Sequence, residues 1–313
     1  MAIRALTGDD RYHVMGEHPK RIGPFRVLRS VGRGGIAEVF LAVAHGASGF
    51  ERKVALKVLL PELQGDGDHE RVLVDEARLA AGLRHQNLVS VDDLGVSDGV
   101  WWARMEWVDG ADLAALLDAG PLPVPLALVV AEDIARALAF LHSARDDAGR
   151  PLGLVHRDVS PANVMVSRAG EVKLGDFGIA KATVLREVTD VGARKGKWAY
   201  MSPEQVAGAP VTDASDRFAL GIVLCELLTG SRPFDDVSPL LTMERIRACE
   251  PPALPGLDDD LRDLVHAALS PEPASRFGST RAMYGALGAA RARRPRVDAF
   301  DLAELVADRV ERR

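Results

Sequence analysis

The chain has 313 residues, of which 47% are hydrophobic and 27% are charged, and its formal net charge is -6. This composition is globular, the length suits two packed lobes or domains, and the acidic balance argues against general nucleic-acid binding, which needs a basic face. Two cysteines are too few for a disulfide framework, so we expect a reducing, cytoplasmic setting.

The segment 1–22 reads as an N-terminal extension. It has no apolar core behind its basic residues, so no secretory signal is expected. No run of about 18 apolar residues occurs in the sequence, which argues against a membrane span within this chain.

Residues 23–107 are predicted to form a small antiparallel-sheet lobe with one helix. Short apolar runs begin at Phe25, Glu38 and Val54, and Gly-containing or charged turns separate them. The helix is expected at about 69–83.

Residues 108–290 are predicted to form a larger, mainly helical lobe. Helical periodicity appears in the Ala- and Leu-rich stretches 111–119, 124–142, 216–229 and 258–269. A Gly-ended turn between short apolar runs predicts a hairpin within residues 155–176. The fold class is therefore α+β and bilobal, with a C-terminal helical extension, 291–313, of unknown role.

A glycine cluster, Val31-Gly-Arg-Gly-Gly, lies between two predicted strands. Bare backbone of this kind can approach phosphate oxygens and donate its N–H groups to them. Taken alone, the cluster fits a hairpin turn without a ligand equally well.

Lys57 lies in a predicted strand that is apolar on both faces, where an ammonium group needs an anionic partner. On the following helix, Glu76 shares a face with Leu73, Ala80 and Leu83 by the three-and-four spacing rule. We therefore expect Lys57 and Glu76 to meet. The alternative is a buried ion pair without a further role.

Three polar residues are predicted at the mouth of the hairpin: Asp158, Asn163 and Asp176. Each is an ordinary turn former when taken by itself. Together with the glycine cluster and the Lys57–Glu76 pair, they supply phosphate clamps, Mg²⁺ ligands and a carboxylate that orients a nucleophile. Phosphoryl transfer requires these parts.

In this order, the residues resemble the bacterial eukaryotic-like serine/threonine protein kinase family, and the resemblance covers about residues 23–290. It implies the bilobal protein kinase fold, with ATP and Mg²⁺ as cofactors. It further implies transfer of the γ-phosphoryl group to serine or threonine hydroxyls of protein substrates, with autophosphorylation, and no nucleic-acid partner.

The resemblance also implies roles for single residues. Asp158 is the expected catalytic base, and Lys57, paired with Glu76, holds the α- and β-phosphates. Asn163 and Asp176 hold Mg²⁺. The expected nucleotide-binding residues, with Met105 as gatekeeper at the hinge, are Gly32, Gly34, Val39, Ala55, Lys57, Met105, Glu106 and Val108.

Later segments separate this chain from small-molecule phosphotransferases. Glu204 of Ser-Pro-Glu is expected to pair with Arg276, and Asp216 is expected to brace the catalytic loop. The segment 182–197 matches the activation loop, in which Thr183 and Thr189 are candidate phosphorylation sites.

Two positions depart from the family's pattern. Ser160 stands where serine/threonine kinases usually have a catalytic-loop lysine, and Lys197 stands where they usually have threonine. We expect Lys197 and Ser160 to have exchanged these roles, so both are assigned to the catalytic set. The alternative is that Lys197 faces solvent in a basic run with Arg194 and Lys195.

Two other functions compete with this interpretation. A pseudokinase scaffold is suggested only by Ser160, since Lys57, Asp158, Asn163 and Asp176 are all present. Tyrosine specificity is disfavoured because Pro161 follows the variant position as it does in serine/threonine enzymes.

Overall fold

A six-stranded antiparallel sheet with one helix forms the N-terminal lobe. The structure, a computed structural model, describes residues 18–176 and 197–311, and for Lys197 it describes the main chain only. The sheet order is β1-β2-β3-β4-β6-β5. The strands are β1 Arg21–Ile22, β2 Phe25–Arg33, β3 Ala37–His45, β4 Glu51–Leu59, β5 Val91–Ser97 and β6 Val100–Glu106.

Side-chain alternation along β4 decides which residues reach the cleft. Val54, Leu56 and Val58 pack into one apolar cluster on one face of the sheet. Ala55 belongs to a second cluster, and Lys57 follows it by the period of two that a strand imposes. The strand therefore directs the Lys57 ammonium group away from the first cluster and toward the helix.

That helix, α1, spans Gly67–Ala81. It begins at Gly67 because the Asp66 carboxylate accepts hydrogen bonds from the N–H groups of Asp68 and His69, which makes Asp66 the N-cap. The expected range of 69–83 was wrong by two residues at each end, because the periodic pattern does not include the capping residue and Leu83 lies beyond the last turn.

The C-terminal lobe is helical, with a three-stranded sheet of order β7-β8-β9 beside the cleft. The strands are β7 Gly110–Asp112, β8 Val164–Ser167 and β9 Val172–Leu174. The helices are α2 Leu113–Leu117, α3 Val124–His142, α4 Pro203–Val206, α5 Asp213–Thr229, α6 Pro239–Ala248, α7 Asp259–Ala268, α8 Thr280–Ala292 and α9 Ala299–Glu311. Helices α3 and α5 contribute the two largest shares of the buried core.

The sequence did not predict α6 and α8. Helix α6 buries only Thr242 and Ile246 and therefore has no clear apolar stripe. Helix α8 buries Met283, Leu287 and Ala290 at helical spacing, a pattern that the prediction missed. Helix α9 lies within the predicted C-terminal helical extension. The side chain of Phe300 at its start is 81% exposed. Over the ranges that the structure describes, no helix is both long and apolar enough to cross a membrane.

Candidate active site

A buried ion triad marks the end of the cleft near α1. Lys57 Nζ donates to Glu76 Oε1 at 2.6 Å and to Asp176 Oδ1 at 3.1 Å. Strand β4 supplies the lysine, α1 the glutamate and the segment after β9 the aspartate. The triad therefore joins both lobes through one ammonium group.

The pKa of Lys57 reflects its two partners. Burial by itself would lower this pKa, but the charges of Asp176 and Glu76 outweigh that effect and hold it well above its usual value. Lys57 therefore remains a cation, which is the form that can hold phosphate oxygens.

An apolar cluster lies between the glycine-rich turn and the C-terminal lobe. It contains four residues expected to contact nucleotide (Val39, Ala55, Met105 and Val108) together with Val31, Leu41, Val89 and Met165. Met165 comes from β8 in the C-terminal lobe, so the cluster has walls from both lobes. Sequence reasoning missed Val89 and Met165, although each lies in a short apolar run.

The glycine-rich turn connects β2 and β3 above this cluster. Gly32 pairs with Val39 across the two strands, and the N–H of Gly34 donates to Ala37 O at 2.8 Å. Ala37, which replaces a third glycine, is buried in β3 and pairs with Leu59. Its methyl group is accommodated inside the sheet.

Glu106 follows Met105 at the end of β6, and its side-chain carboxylate has two partners within the protein. The carboxylate accepts the N–H of Ser90 at 2.8 Å and pairs with Lys173 Nζ at 3.1 Å. Any contact of Glu106 with a nucleotide base would therefore involve its main chain. Sequence reasoning missed Lys173, although a lysine within the apolar strand β9 could have indicated a buried partner.

The catalytic-loop segment is held by Asp216 of α5. Its carboxylate accepts the N–H groups of His156 at 2.7 Å and Arg157 at 2.8 Å, and its Oδ2 lies 2.8 Å from His142 Nε2. Arg157 has a φ of 66°, a left-handed conformation that costs free energy for a residue with a side chain. The two bonds to Asp216 stabilise this turn.

Asp158 is fixed by Asn163. The Asn163 amide Nδ2 donates to the Asp158 main-chain oxygen at 2.7 Å and to Asp158 Oδ2 at 2.8 Å. Asn163 O in turn accepts the N–H of Gly175 at 2.8 Å, so the loop is tied to the residue before Asp176. These bonds bring the expected base and both expected metal ligands into one cluster.

The donor set fits a Mg²⁺ ion that is shared with a nucleotide. Asn163 offers an amide oxygen and Asp176 a carboxylate. Mg²⁺ in phosphoryl-transfer sites is typically held by one or two carboxylates together with phosphate oxygens and water. The residues present therefore suit this ion.

Ser160 lies at the start of a short 3-10 turn, Pro161–Asn163, and is 2% exposed. Among the residues that the structure describes, its hydroxyl has no hydrogen-bond partner. The Lys197 side chain, Arg194, Lys195, Thr183 and Thr189 lie outside the described residues. The proposed exchange of roles between Ser160 and Lys197 stays a prediction.

A second buried ion pair, between Glu204 and Arg276, lies in the C-terminal lobe. Arg276 donates through both terminal nitrogens to Glu204, at 2.8 Å for each bond. Ser215 Oγ donates to the same carboxylate at 2.6 Å, and the Arg276 guanidinium lies over the Phe218 ring. This pair ties α4 to α5 and to the loop before α8.

Comparison with known proteins establishes the class. The family model "Protein kinase domain" matches residues 25–285, and the chain belongs to this family. The crystal structure of the Mycobacterium tuberculosis PknI kinase domain is similar, with a TM-score of 0.62 and 31% identity over 86% of this chain and 96% of that one.

Two curated bacterial relatives are also similar. The "Tyrosine-protein kinase MasK" of Myxococcus xanthus is 40% identical over 85% of this chain and 42% of its own length. The "Serine/threonine-protein kinase PrkC" of Bacillus subtilis is 36% identical over 84% of this chain and 40% of its own. The chain thus spans about two fifths of the length of these relatives. The predicted family and fold are confirmed.

Proposed function

We propose that this chain is an ATP- and Mg²⁺-dependent protein kinase that phosphorylates serine or threonine hydroxyls of protein substrates and also itself. The observation that carries the proposal is the linked cluster in which Lys57 contacts Glu76 and Asp176 while Asn163 holds Asp158. A catalytically dead scaffold would not need this complete set.

Each residue of the cluster has a defined task in this proposal. Lys57 binds the α- and β-phosphates, and Glu76 keeps its ammonium group in place. Asp158, oriented by Asn163, accepts a hydrogen bond from the incoming hydroxyl and takes its proton as the new bond forms. Bound Mg²⁺, held by Asn163 and Asp176, would neutralise phosphate charge. Most of the rate enhancement then comes from positioning and charge neutralisation.

The acceptor class rests on Pro161, which follows Ser160 as it does in serine/threonine enzymes. PrkC, named a serine/threonine kinase, supports this choice, whereas the name of MasK makes tyrosine the second candidate.

The thiols of Cys225 and Cys249 are buried and form no disulfide, which supports the further proposal of a reducing, cytoplasmic setting. We propose residues 23–290 as the catalytic domain.

The direct test is transfer of ³²P from labelled ATP to the protein itself and to myelin basic protein, followed by phosphoamino-acid analysis. We expect label on serine and threonine, and loss of transfer when EDTA removes Mg²⁺. Label on tyrosine alone would favour the second candidate. Nucleotide binding without any transfer would favour the scaffold.

The exchange of roles between Ser160 and Lys197 gives a separate prediction. Lys197→Ala should lower kcat by about tenfold or more while the Kd for ATP changes little, because the lysine would act on the γ-phosphate during transfer. Steady-state kinetics and calorimetry measure the two quantities.

Lys195→Ala, in the same basic run, serves as the control and should retain kcat. Adding Ser160→Lys to Lys197→Ala should restore part of the lost kcat by returning the charge to the catalytic loop. A near-normal kcat for Lys197→Ala would show that Lys197 is only a solvated side chain.

A further inference from the structure

Helix α9 lies beyond residues 25–285, the part of the chain that the family model covers, yet it is part of the folded lobe. Its residues Leu302, Val306 and Val310 are buried. The helix contacts α2, β7 and β8, the elements that follow the hinge and the catalytic loop. Helix α9 therefore packs against the elements that adjoin the proposed nucleotide site.

Arg309 near the end of α9 binds the end of α2 and the segment that follows it. Its guanidinium donates to Leu116 O and Gly120 O at 2.7 Å each and to Pro121 O at 2.6 Å. Carbonyls at the C-terminal end of a helix carry partial negative charge and lack helical partners. Of the three acceptors, Leu116 O belongs to the end of α2, and Gly120 O and Pro121 O lie in the segment that follows the helix. A planar guanidinium with several donors can bind all three oxygens at once, which a point charge cannot do as well.

The other end of α9 is seated on the β8–β9 turn. Gly170 in this turn has a φ of 79°, and a Cβ atom placed on it would lie 1.9 Å from Ala299 O. Only glycine allows the first residue of α9 to approach so closely. Arg309 and Gly170 therefore hold opposite ends of the helix.

The segment that Arg309 contacts is connected to the apolar cluster of the cleft through α2 and β7. Helix α2 is capped at its start by Asp112, whose Oδ1 accepts the N–H of Ala115 at 2.7 Å. Asp112 ends β7, which pairs with β8 and begins two residues after Val108 of the apolar cluster. Holding the end of α2 in place therefore restricts the movement of the main chain between the hinge and α2.

We propose that Arg309 is a positioning residue for the ATP site: it holds α2 and, through β7, sets the main chain of the hinge. The proposal rests on the proposed kinase function for its effect on ATP use. It assigns to the C-terminal extension a task in nucleotide binding that acts through α2 and β7.

The test compares Arg309→Met with Arg309→Lys. Arg309→Met should raise the KM for ATP by about fivefold with kcat changed less than about twofold, because a looser hinge weakens binding in ground and transition states alike. Arg309→Lys should recover only part of the loss, since lysine lacks the planar fork. Glu304→Ala, at an exposed position of α9, is the control and should behave as the wild type.

Hydrogen exchange gives a readout that does not depend on activity. Amides of residues 106–121 should exchange faster in Arg309→Met, while those of α3 keep wild-type protection. Gly170→Ala should have the same effect from the other end of α9. Gly149→Ala controls for backbone strain, because Gly149 has a φ of 78° but open space around it.

The outcomes are distinguishable. An unchanged KM for ATP together with unchanged exchange at 106–121 would overturn the positioning role, even if the melting temperature fell. Should the wild type transfer no phosphate, the proposed function fails, and the hydrogen exchange and the calorimetric Kd for ATP still decide the role of Arg309. Should Arg309→Met fail to fold, Gly170→Ala and Arg309→Lys supply the same comparison.

Discussion

Asp158→Asn should lower kcat by about 10³-fold while leaving the Kd for ATP within about twofold of the wild type. The asparagine keeps the size of the side chain and an oxygen that Asn163 Nδ2 can reach, so the loop geometry is retained. It removes the group that accepts the proton of the incoming hydroxyl. The loss therefore falls on transfer and spares nucleotide binding.

Single-turnover transfer of ³²P and calorimetric titration with ATP measure the two effects. Asp147→Asn is the matched control, because Asp147 is an exposed turn residue outside the cluster formed by Lys57, Glu76, Asp158, Asn163 and Asp176. It should leave both quantities unchanged. A variant at Asp158 with more than about a tenth of wild-type kcat would contradict the assignment of the base.

Glu204→Gln should lower the free energy of unfolding by about 3 kcal/mol, because it leaves the Arg276 guanidinium buried without a countercharge. Two terminal nitrogens of Arg276 now donate to the two Glu204 oxygens. In the variant, one of these positions becomes an amide NH₂ group, and two donors would face each other. Urea unfolding followed by tryptophan fluorescence measures the change.

This stabilisation should depend on pH. Burial would raise the pKa of Glu204, but hydrogen bonds from Arg276 and Ser215 outweigh it and lower this pKa from 4.5 to about 2. Between these values the unfolded chain takes up a proton at Glu204 that the folded protein does not. The contribution is therefore complete above pH 4.5 and is lost as the pH falls toward 2.

The difference in stability between the wild type and Glu204→Gln should accordingly shrink as the pH falls through this window. Glu250→Gln, at an exposed glutamate, provides the control and should show no such trend. A constant difference down to the lowest pH at which the protein folds would mean that the charge of Glu204 is not the source of the stability.

Local periodicity explains why the Lys57–Glu76 contact could be predicted from the sequence. The period of two in β4 and the three-and-four spacing in α1 each fix the direction of one side chain, and the two elements are close in the chain. The bounds of α3, 124–142, followed from the same kind of pattern. These features depend on residues near each other in sequence.

Other contacts depend on how distant segments meet, and no local pattern encodes them. Lys173 reaches Glu106 across 67 positions, and Arg309 reaches Leu116 across 193. The contact of His142 with Asp216 belongs to the same group, since the packing of α3 against α5 brings these two residues together. Long-range tertiary contacts of this kind require coordinates.

Under the proposed function, the charges of the triad around Lys57 should favour one form of the nucleotide over another. One ammonium group faces two carboxylates there, so the cluster has an excess of one negative charge when all three groups are ionised. A bare polyphosphate would meet repulsion from Asp176 at the point where it needs attraction. A polyphosphate with a bound divalent cation would reverse this balance, because the Asp176 carboxylate could then hold the cation. Under the proposed function, the cleft is therefore expected to bind the cation complex of a polyphosphate more tightly than the bare polyphosphate.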